Sequence, residues 1–241
     1  MKLGGSVITD KPGEARFRRP ATKRLLGELA RAEVPAILLH GAGSFGHGPA
    51  ARHRIGQVAA KPEGVAEVLA AVGRLHAEVV DCAADAGLRP LSFPLQHSAA
   101  SHAGHIVELP VERLVRALEE GYVPVLCGSL VRDDQVGWRV VSADELMAAL
   151  APEVQPRLAV FVTNVDGILR GSDVLATVGR DELRDIDERA GGTDVTGGMH
   201  GKLVRALEVA ACCPTWIIGD ERGRLLDLLK GKNVLGTRVA A

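Results

Sequence analysis

Residues 36–48 read AILLHGAGSFGHG, an apolar segment that runs directly into a glycine-rich stretch. The short aliphatic run Val34–Leu39 predicts a buried strand of a parallel sheet. The turn that follows has little side-chain bulk, so its N–H groups can approach an anion. Its small residues are Gly41, Ala42, Gly43 and Gly46. The stretch therefore predicts an anion-binding turn, with His47 placed to donate a hydrogen bond to the bound anion.

The glycine spacing also matches GxGxxG, the dinucleotide-binding fingerprint. A dinucleotide site needs a second strand that ends, about 20 residues further on, in an acid that binds the ribose. The chain instead continues through Ala51-Arg52-His53-Arg54 and a loop at Gly56, and the first acid, Glu63, opens a helix. The surroundings favour a phosphate cradle over an NAD site. A surface histidine at an ordinary turn is the structural alternative for His47.

The composition of the 241-residue chain narrows the class of protein. The formal net charge is −1 and aromatic residues make up 3%, which argues against a nucleic-acid partner. No apolar run approaches the ~20 residues of a membrane span, and the N-terminal residues lack a signal-peptide core. We therefore expect a cytoplasmic protein without a membrane partner. The cysteines, Cys82, Cys127, Cys212 and Cys213, lack CxxC spacing and are predicted to be buried thiols.

Short aliphatic runs alternate with longer amphipathic stretches, which predicts an α/β fold with a mainly parallel, helix-covered sheet. The other predicted strands are Arg89–Phe93, Val123–Leu126, Leu158–Thr163 and Thr215–Ile218. The predicted helices are Thr22–Ala32, Glu63–Ala86, Val111–Glu119, Ser142–Leu150 and Lys202–Ala211, with Thr22, Ser142 and Asp220 as N-caps. Leu130–Val141 predicts an antiparallel hairpin at the edge of this sheet.

Two further stretches pair glycines with lysines. Lys2-Leu3-Gly4-Gly5-Ser6, with Lys11 beyond it, offers backbone donors and two mobile charges to a polyphosphate, although a plain turn with solvated lysines is equally consistent. Residues 194–202, DVTGGMHGK, open a helix whose first N–H groups and Lys202 are predicted to hold an anion. The sequence GxxxxGK[ST] is absent, so neither stretch is a Walker-type loop.

Residues 163–168, TNVDGI, follow a predicted strand at the position where α/β proteins place ligand-binding residues. A simple strand-ending turn is the structural alternative. His97, His102 and His105 lack a companion cysteine or carboxylate at ligand spacing, so a zinc site there is not favoured. Trp138 and Trp216 are interpreted as packing residues.

The order of KLGGS, HGAGSFGH, TNVDGI and DVTGGM, followed by Lys202, resembles the amino acid kinase superfamily over the whole chain, most closely its isopentenyl phosphate kinase branch. The resemblance implies a three-layer αβα sandwich, one domain of residues 1–241. Its acceptor-binding lobe would span about residues 1–141 and its nucleotide-binding lobe about residues 142–241. A histidine that closes the second loop marks the branch whose acceptor is a phosphate. The implied reaction is ATP-dependent conversion of isopentenyl phosphate to the diphosphate, in the alternative mevalonate route of isoprenoid biosynthesis.

The resemblance also implies residue roles, a homodimer, and Mg²⁺ held mainly by the ATP phosphates rather than by a protein metal site. The implied catalytic residues are Lys2, Lys11, His47, Asp144 and Lys202, with Asp144 orienting the two catalytic lysines. The implied ATP-binding residues are Gly4, Gly5, Ser6, Thr163, Asp166, Gly167, Thr196, Gly197 and Gly198. The implied acceptor-binding residues are Gly41, Ala42, Gly43, Gly46 and His47.

Some positions depart from the family pattern. Ser129 stands where relatives commonly carry an aspartate, and Lys2 lies closer to the first residue than usual, so the opening strand is short or the natural start lies upstream. Phe93-Pro94-Leu95-Gln96 and Met199-His200 are similar to fosfomycin kinase, which keeps a phosphonate acceptor open as an alternative. A non-catalytic nucleotide or oxyanion binder is the second alternative, against which the presence of Lys2, Asp144 and Lys202 argues.

Overall fold

The computed structural model describes residues 1–10, 15–56, 59–183 and 198–241, and only the backbone of Gly198 and Met199. The predicted site residues Lys11, Thr196 and Gly197 lie outside these ranges. Within them, we find no helix whose length and apolar character would let it cross a membrane.

Strands and helices alternate along most of the chain. The strands are β1 Lys2–Leu3, β2 Leu38–His40, β3 Pro90–Ser92, β4 Ala100–His102, β5 His105–Glu108, β6 Val123–Cys127, β7 Ser129–Asp133, β8 Gly137–Val141, β9 Ala159–Thr163, β10 Leu169–Arg170, β11 Asp173–Val174, β12 Thr177–Val178, β13 Thr215–Gly219 and β14 Thr237–Val239. The described helices are α1 Gly5–Ile8, α2 Arg19–Ala32, α3 Gly43–Arg52, α4 Pro62–Asp85, α5 Val111–Glu119, α6 Ala143–Val154, α7 Gly198–Ala210 and α8 Arg224–Leu229, with a 3₁₀ turn at Leu95–His97.

Eight of these strands form one sheet in the order β12-β14-β13-β9-β1-β2-β6-β3. Neighbouring strands are parallel except for β13 and β14, which confirms the predicted mainly parallel sheet. The short strand β1 lies between β2 and β9, with Lys2 opposite Leu39 on one side and Phe161 on the other. The sheet therefore joins the two halves of the chain through its central strands. The division near residue 141 into an acceptor-binding and a nucleotide-binding lobe stays a prediction.

Helices cover both faces of this sheet, because its strands are apolar on both sides. On β9, Phe161 packs into one core with Leu146 of α6 and Leu203 of α7. The neighbouring Val160 and Val162 point to the opposite face and share a second core with Leu25 and Leu26 of α2, Leu75 of α4 and Leu225 of α8. Alternation of this kind is expected of a strand that is buried on both sides. The result is a three-layer αβα arrangement.

The hairpin predicted at Leu130–Val141 is present as β7 and β8, but its placement was wrong. It belongs to a separate four-stranded sheet, β5-β4-β7-β8, rather than to the edge of the parallel sheet. The buried Asp133 carboxylate accepts hydrogen bonds from Ser101 Oγ at 2.7 Å and from backbone N–H groups of its own turn and of the β4–β5 turn. Burial alone would raise the pKa of Asp133, but these hydrogen bonds outweigh it and lower the pKa far below its usual range. The carboxylate thereby joins the two hairpins.

Two of the three predicted N-caps were wrong. Ser142 does cap α6, where its hydroxyl accepts a hydrogen bond from the Glu145 N–H at 3.0 Å. Thr22 instead lies inside α2, because the helix begins at Arg19. Asp220 precedes α8, whose N-cap is Gly223 at φ 85°. The first N–H groups of α8 donate to Glu28, a carboxylate from α2 that lies far away in the sequence.

The glycine-rich stretch after β2 is a turn only at its beginning, and the rest of it forms the start of a helix. Only Gly41 and Ala42 lie between β2 and α3, which begins at Gly43 with φ 49°. A Cβ atom on Gly43 would lie 2.1 Å from Thr9 Oγ1, so only glycine fits there. His47 is consequently a helical residue.

The two glycine loops that follow β1 and β2 are in direct backbone contact. A Cβ atom on Gly5 would lie 2.7 Å from both Cα and N of Gly43, and one on Gly41 would lie 2.7 Å from N of Gly5. Backbone atoms cannot rotate away as side chains do, so a larger residue at either position must push the loops apart. The spacing between the loops is therefore set by the absence of side chains.

Gly5→Ala is expected to destabilise the protein by about 2 kcal/mol, the usual cost of overpacking, and to lower the melting temperature by roughly 4–8 °C for a chain of this size. Gly27→Ala is the matched control, since a Cβ there, on α2, meets nothing within 4 Å. The control should be neutral or stabilising by up to about 1 kcal/mol. Equal melting temperatures for the two variants by circular dichroism would show that the loops can separate freely.

Candidate active site

The carboxyl ends of four adjacent parallel strands bring the predicted loops together. Gly4 follows β1, Gly41 follows β2, Gly128 follows β6 and Asn164 follows β9. Backbone hydrogen bonds continue the sheet into these loops, with Gly4 N–H donating to Val162 at 2.8 Å and Gly41 N–H donating to Leu3 at 2.9 Å. Open α/β sheets place ligands at this edge.

Two lysines and one aspartate lie beside these loops. Lys2, which is 4% exposed, donates from Nζ to the Asp144 carboxylate, and its ammonium lies 5.9 Å from the centre of the Phe161 ring. Lys202 Nζ donates to Thr163 Oγ1 at 3.2 Å. Lys2 and Asp144 both act electrostatically on Lys202, so the three charges form one cluster. The structure thus brings together three of the predicted catalytic residues.

The charge of Lys202 is sensitive to its surroundings. Burial, followed by repulsion from the Lys2 ammonium, lowers the pKa of Lys202 to about 8, while attraction to Asp144 partly opposes this shift. A bound anion would raise the same pKa, because it favours the charged form. Lys202 therefore changes from ammonium to amine in a pH range where an anionic ligand can reverse the change.

Hydrogen bonds connect the first loop with its neighbours. Thr9 Oγ1 donates to the Gly5 carbonyl at 2.8 Å and accepts from the Ser44 N–H at 3.2 Å, which ties the first loop to the start of α3. Ser6 Oγ donates to Asn164 Oδ1 at 2.9 Å and ties it to the loop after β9. Sequence reasoning assigned no role to Thr9 or Asn164, because each acts through a partner more than 30 residues away.

The start of α3 carries the residues predicted to bind the acceptor. A helix N-terminus presents N–H groups to an anion, and Gly43 and Gly46 have no side chains that would cover these N–H groups. His47 is exposed and lies four residues after Gly43, so it shares the helix face that meets the first loop. Ser44 Oγ is buried and has no hydrogen-bond partner within the described residues. A ligand oxygen at this helix start would satisfy that hydroxyl.

A cavity of about 230 Å³ adjoins this helix start. Gly46 lies against Val72 of α4, since a Cβ on Gly46 would be 3.5 Å from Val72 Cγ2, and Val72 lines the cavity. The full lining is Leu69, Val72, Gly73, His76, Phe93, Pro94, Leu95, Gln96, Cys127 and Ser129. The cavity is smaller than the about 300–1,000 Å³ typical of sites for drug-sized ligands. Such a space suits a short, mainly apolar group next to an anion.

Asp166, predicted to bind nucleotide, is held by a residue that the sequence did not single out. Its carboxylate accepts from Arg224 Nη1 at 2.5 Å, and Arg224 is 7% exposed. Gly219, at the end of β13, makes room for this ion pair, because a Cβ there would lie 2.7 Å from Asp166 Oδ1. No spacing pattern links positions 166 and 224, so only the fold could reveal the pair. Gly167 packs close by, against Thr237.

Ser129, the departure from the family pattern, is a buried residue at the start of β7 and lines the cavity. The four residues Phe93-Pro94-Leu95-Gln96 line it as well. A hydroxyl at position 129 leaves the cavity without the negative charge that an aspartate would bring near an anionic acceptor. Ser129 and these four residues therefore lie around one space.

The amino acid kinase family matches residues 1–219 of the chain. The chain therefore belongs to the amino acid kinase family. Isopentenyl phosphate kinase from Methanothermobacter thermautotrophicus is 32% identical, over 99% of this chain and 97% of that protein. Isopentenyl phosphate kinase from Thermoplasma acidophilum is 34% identical, over 98% of each chain. A crystal structure of an isopentenyl phosphate kinase superposes with a TM-score of 0.87 at 29% identity, covering 99% of this chain and 98% of that one.

Proposed function

We propose that this protein is an isopentenyl phosphate kinase, which transfers the γ-phosphoryl group of ATP to isopentenyl phosphate and forms isopentenyl diphosphate. The observation that carries the proposal is the buried Lys2–Asp144 ion pair, with Lys202 in its electrostatic field, on the strand that leads directly into the contact between two glycine loops. Two bare loops can hold two phosphates close together, and two ammonium groups can neutralise the charge between them. Near-full-length relatives with this activity support the choice of acceptor.

On the donor side, the loop after β1 and the start of α7 would hold the ATP phosphates. Gly4, Gly5 and Ser6 offer backbone and hydroxyl donors, and Lys202 projects from α7 near Thr163. Asp166 and Gly167 would line the nucleotide site, with Arg224 fixing the Asp166 carboxylate. Lys11, Thr196 and Gly197 are assigned to the same phosphates from the family resemblance, as is Gly198, the first residue of α7.

On the acceptor side, Gly41, Ala42, Gly43 and Gly46 would surround the phosphate of the acceptor. His47 would hydrogen-bond that phosphate from the helix face that meets the donor loop. The adjoining cavity would take the five-carbon tail, for which its apolar residues Leu69, Val72 and Phe93 supply the contacts. Recognition is thus divided between a polar cradle and an apolar cavity.

The reaction depends more on the neutralisation of charge than on proton transfer. A phosphate monoester is largely ionised near neutral pH, so its oxygen attacks without a strong general base. The main obstacle is repulsion between two anions, which Lys2, Lys202 and His47 would reduce. Asp144 keeps the Lys2 ammonium aimed at the reacting phosphates rather than taking a proton itself. Phosphoryl transfer depends on such positioning and electrostatic stabilisation.

Magnesium fits this site as a partner of ATP. The two described carboxylates among the predicted site residues, Asp144 and Asp166, are ion-paired with Lys2 and Arg224, so we assign the ion to the nucleotide phosphates. When bound, it neutralises phosphate charge and orients the transferred group. A homodimer is a further expectation that we carry over from the family resemblance, and a cytoplasmic location is one that we carry over from the sequence.

The proposal is tested by supplying ATP and Mg²⁺ with a panel of acceptors: isopentenyl phosphate, dimethylallyl phosphate, longer prenyl phosphates, fosfomycin and carboxylates. We expect the highest kcat/KM for isopentenyl phosphate, with the diphosphate as product. His47→Ala should lower kcat/KM at least about tenfold, the value of a charge-assisted hydrogen bond of ~1.4 kcal/mol. His102→Ala is the control, an exposed histidine paired with Asp134 on the second sheet. Faster turnover of fosfomycin would favour the phosphonate kinase, and ATP binding without turnover would favour a binding protein.

Burial lowers the pKa of Lys202 to about 8, so its cationic form predominates below that pH and is progressively lost above it. We expect kcat/KM for ATP to decline as the pH rises through about 8. Lys202→Arg should lower the maximum but remove this decline, because a guanidinium stays protonated. The control Lys23→Arg alters an exposed lysine that pairs with Asp85 and should leave the profile unchanged. An identical decline in wild type and Lys202→Arg would exclude Lys202 as its source.

The assignment of the cavity to the acceptor tail can be tested by a substitution at its exposed edge. Gly73 on α4 is exposed and lines the cavity, and a Cβ there meets nothing within 4 Å. Gly73→Leu is therefore expected to keep the fold while raising KM for isopentenyl phosphate at least about tenfold, with a smaller effect on KM for ATP. Gly27→Leu makes the same change on α2, away from the cavity, and should leave both constants near wild type. An unchanged KM for the acceptor would place the tail elsewhere.

A further inference from the structure

A cluster of histidine and cysteine side chains lies beneath the acceptor cradle, at the wall of the cavity, and takes no part in holding the phosphates in the transfer described above. His40 ends β2 and Cys127 ends β6, and the two residues are register partners on these paired strands. His76 approaches them from α4. One ring nitrogen from each histidine and the Cys127 sulfur all lie within 4.8 Å of one another.

Hydrogen bonds fix which ring nitrogens face inward. His40 Nδ1 lies 3.2 Å from the Gly41 carbonyl and must donate to it, since a carbonyl only accepts. The other nitrogen, His40 Nε2, faces His76 Nδ1 at 2.9 Å. His76 Nε2 lies 2.7 Å from Ser92 Oγ. Each ring therefore has an oxygen partner on its outer nitrogen and turns its inner nitrogen toward the other ring.

This is the arrangement that supports histidines bound to a metal. A ligating imidazole usually donates its second N–H to a carbonyl, carboxylate or hydroxyl oxygen, which fixes its tautomer and orientation. Gly41 O and Ser92 Oγ are in place to do this for His40 and His76. We propose that His40 Nε2, His76 Nδ1 and Cys127 Sγ form a binding site for a thiophilic divalent cation such as Zn²⁺.

The geometry requires the rings to move apart and to tilt. Zinc–nitrogen bonds of about 2.0–2.1 Å at tetrahedral angles separate two ligand nitrogens by about 3.3 Å, so the rings must part by roughly 0.4 Å from their 2.9 Å contact. They must also tilt, because the two nitrogens now point at each other and both must point at the metal. His76 and Cys127 line the cavity, whereas His40 is completely buried. The fourth coordination position therefore faces the cavity, where water or an anion can complete the tetrahedron.

The protons balance without a further group. Without metal, the His76 Nδ1 proton fills the contact with His40 Nε2, and His76 Nε2 accepts from Ser92. Metal binding displaces the Cys127 thiol proton to solvent and shifts the His76 proton to Nε2, from which it is donated to Ser92 Oγ. One proton is released for each ion bound. Nitrogen and thiolate ligands favour zinc, copper and cobalt over magnesium, which prefers oxygen, so this site is separate from the nucleotide-bound ion.

The test uses Co²⁺ as a spectroscopic probe of the purified full-length protein, and its outcome does not depend on kinase activity. We expect one equivalent of Co²⁺ to give tetrahedral visible bands and a thiolate-to-cobalt charge-transfer band. Zn²⁺ should displace the cobalt, and excess Mg²⁺ should not. The absence of a saturable spectrum at one equivalent would overturn the proposal.

Variants locate the site. Cys127→Ser should abolish the charge-transfer band and weaken Co²⁺ binding more than about 100-fold, beyond the usual cost of losing an outer partner. Cys213→Ser, a buried thiol in another part of the core, should change neither. His76→Asn, at a half-exposed position, provides a second test if Cys127→Ser unfolds, and thermal denaturation of each variant establishes this. A band that survives both changes, or one that disappears in the surface control His102→Asn, would refute the assignment.

Discussion

The contact between the backbones of two glycine loops is the constraint on which the rest of this structure depends. Gly5 meets Gly43, and Gly41 meets Gly5, at separations that leave no space for a Cβ atom. Because β1 and β2 are adjacent and parallel, their carboxyl ends already lie side by side. The bare loops then bring donor N–H groups from two strand ends within one small volume. In the reaction proposed above, the absence of side chains between the loops would let the two phosphates approach each other there.

The charge cluster follows from the same geometry. Lys2 is buried because β1 is the central strand, and an ammonium in that position needs a partner. Asp144 supplies one from the first turn of α6, where the helix dipole also stabilises a negative charge. Lys202 then shares the field of that single carboxylate with Lys2, so the site carries more positive than negative charge. This excess favours a polyanionic ligand, and burial together with repulsion from Lys2 keeps the pKa of Lys202 low until such a ligand binds.

Structural elements that follow from neighbouring residues could be predicted from the sequence. Elements that depend on contacts between residues far apart in the sequence could not. The main parallel strands and the longer helices follow from hydrophobic periodicity, and α5 has the predicted bounds, Val111–Glu119. The N-cap of α8 escaped prediction because Glu28, far away in the sequence, replaces a local cap. The β4–β5 hairpin was missed because its strands are three and four residues long and depend on the buried Asp133. Within the site, the motif residues were recognisable, whereas Thr9, Asn164 and Arg224 act through partners that only the fold brings near.

His40, which precedes the glycine loop after β2, connects that loop to the core beneath it. The His40 carbonyl accepts from the Gly128 N–H at 2.9 Å, while the His40 ring donates to the Gly41 carbonyl. One residue therefore joins the loop after β2 to the loop after β6 and orients the first peptide of the cradle. His76 extends this chain to Ser92 on β3, across the cavity that would hold the acceptor tail. Because these hydrogen bonds pass from the cavity to the cradle, a change at the tail site can alter the position of the Gly41 peptide. The polar cradle and the apolar cavity are thus linked by hydrogen bonds through an imidazole pair, and a cation bound between the rings would replace the direct hydrogen bond in that link.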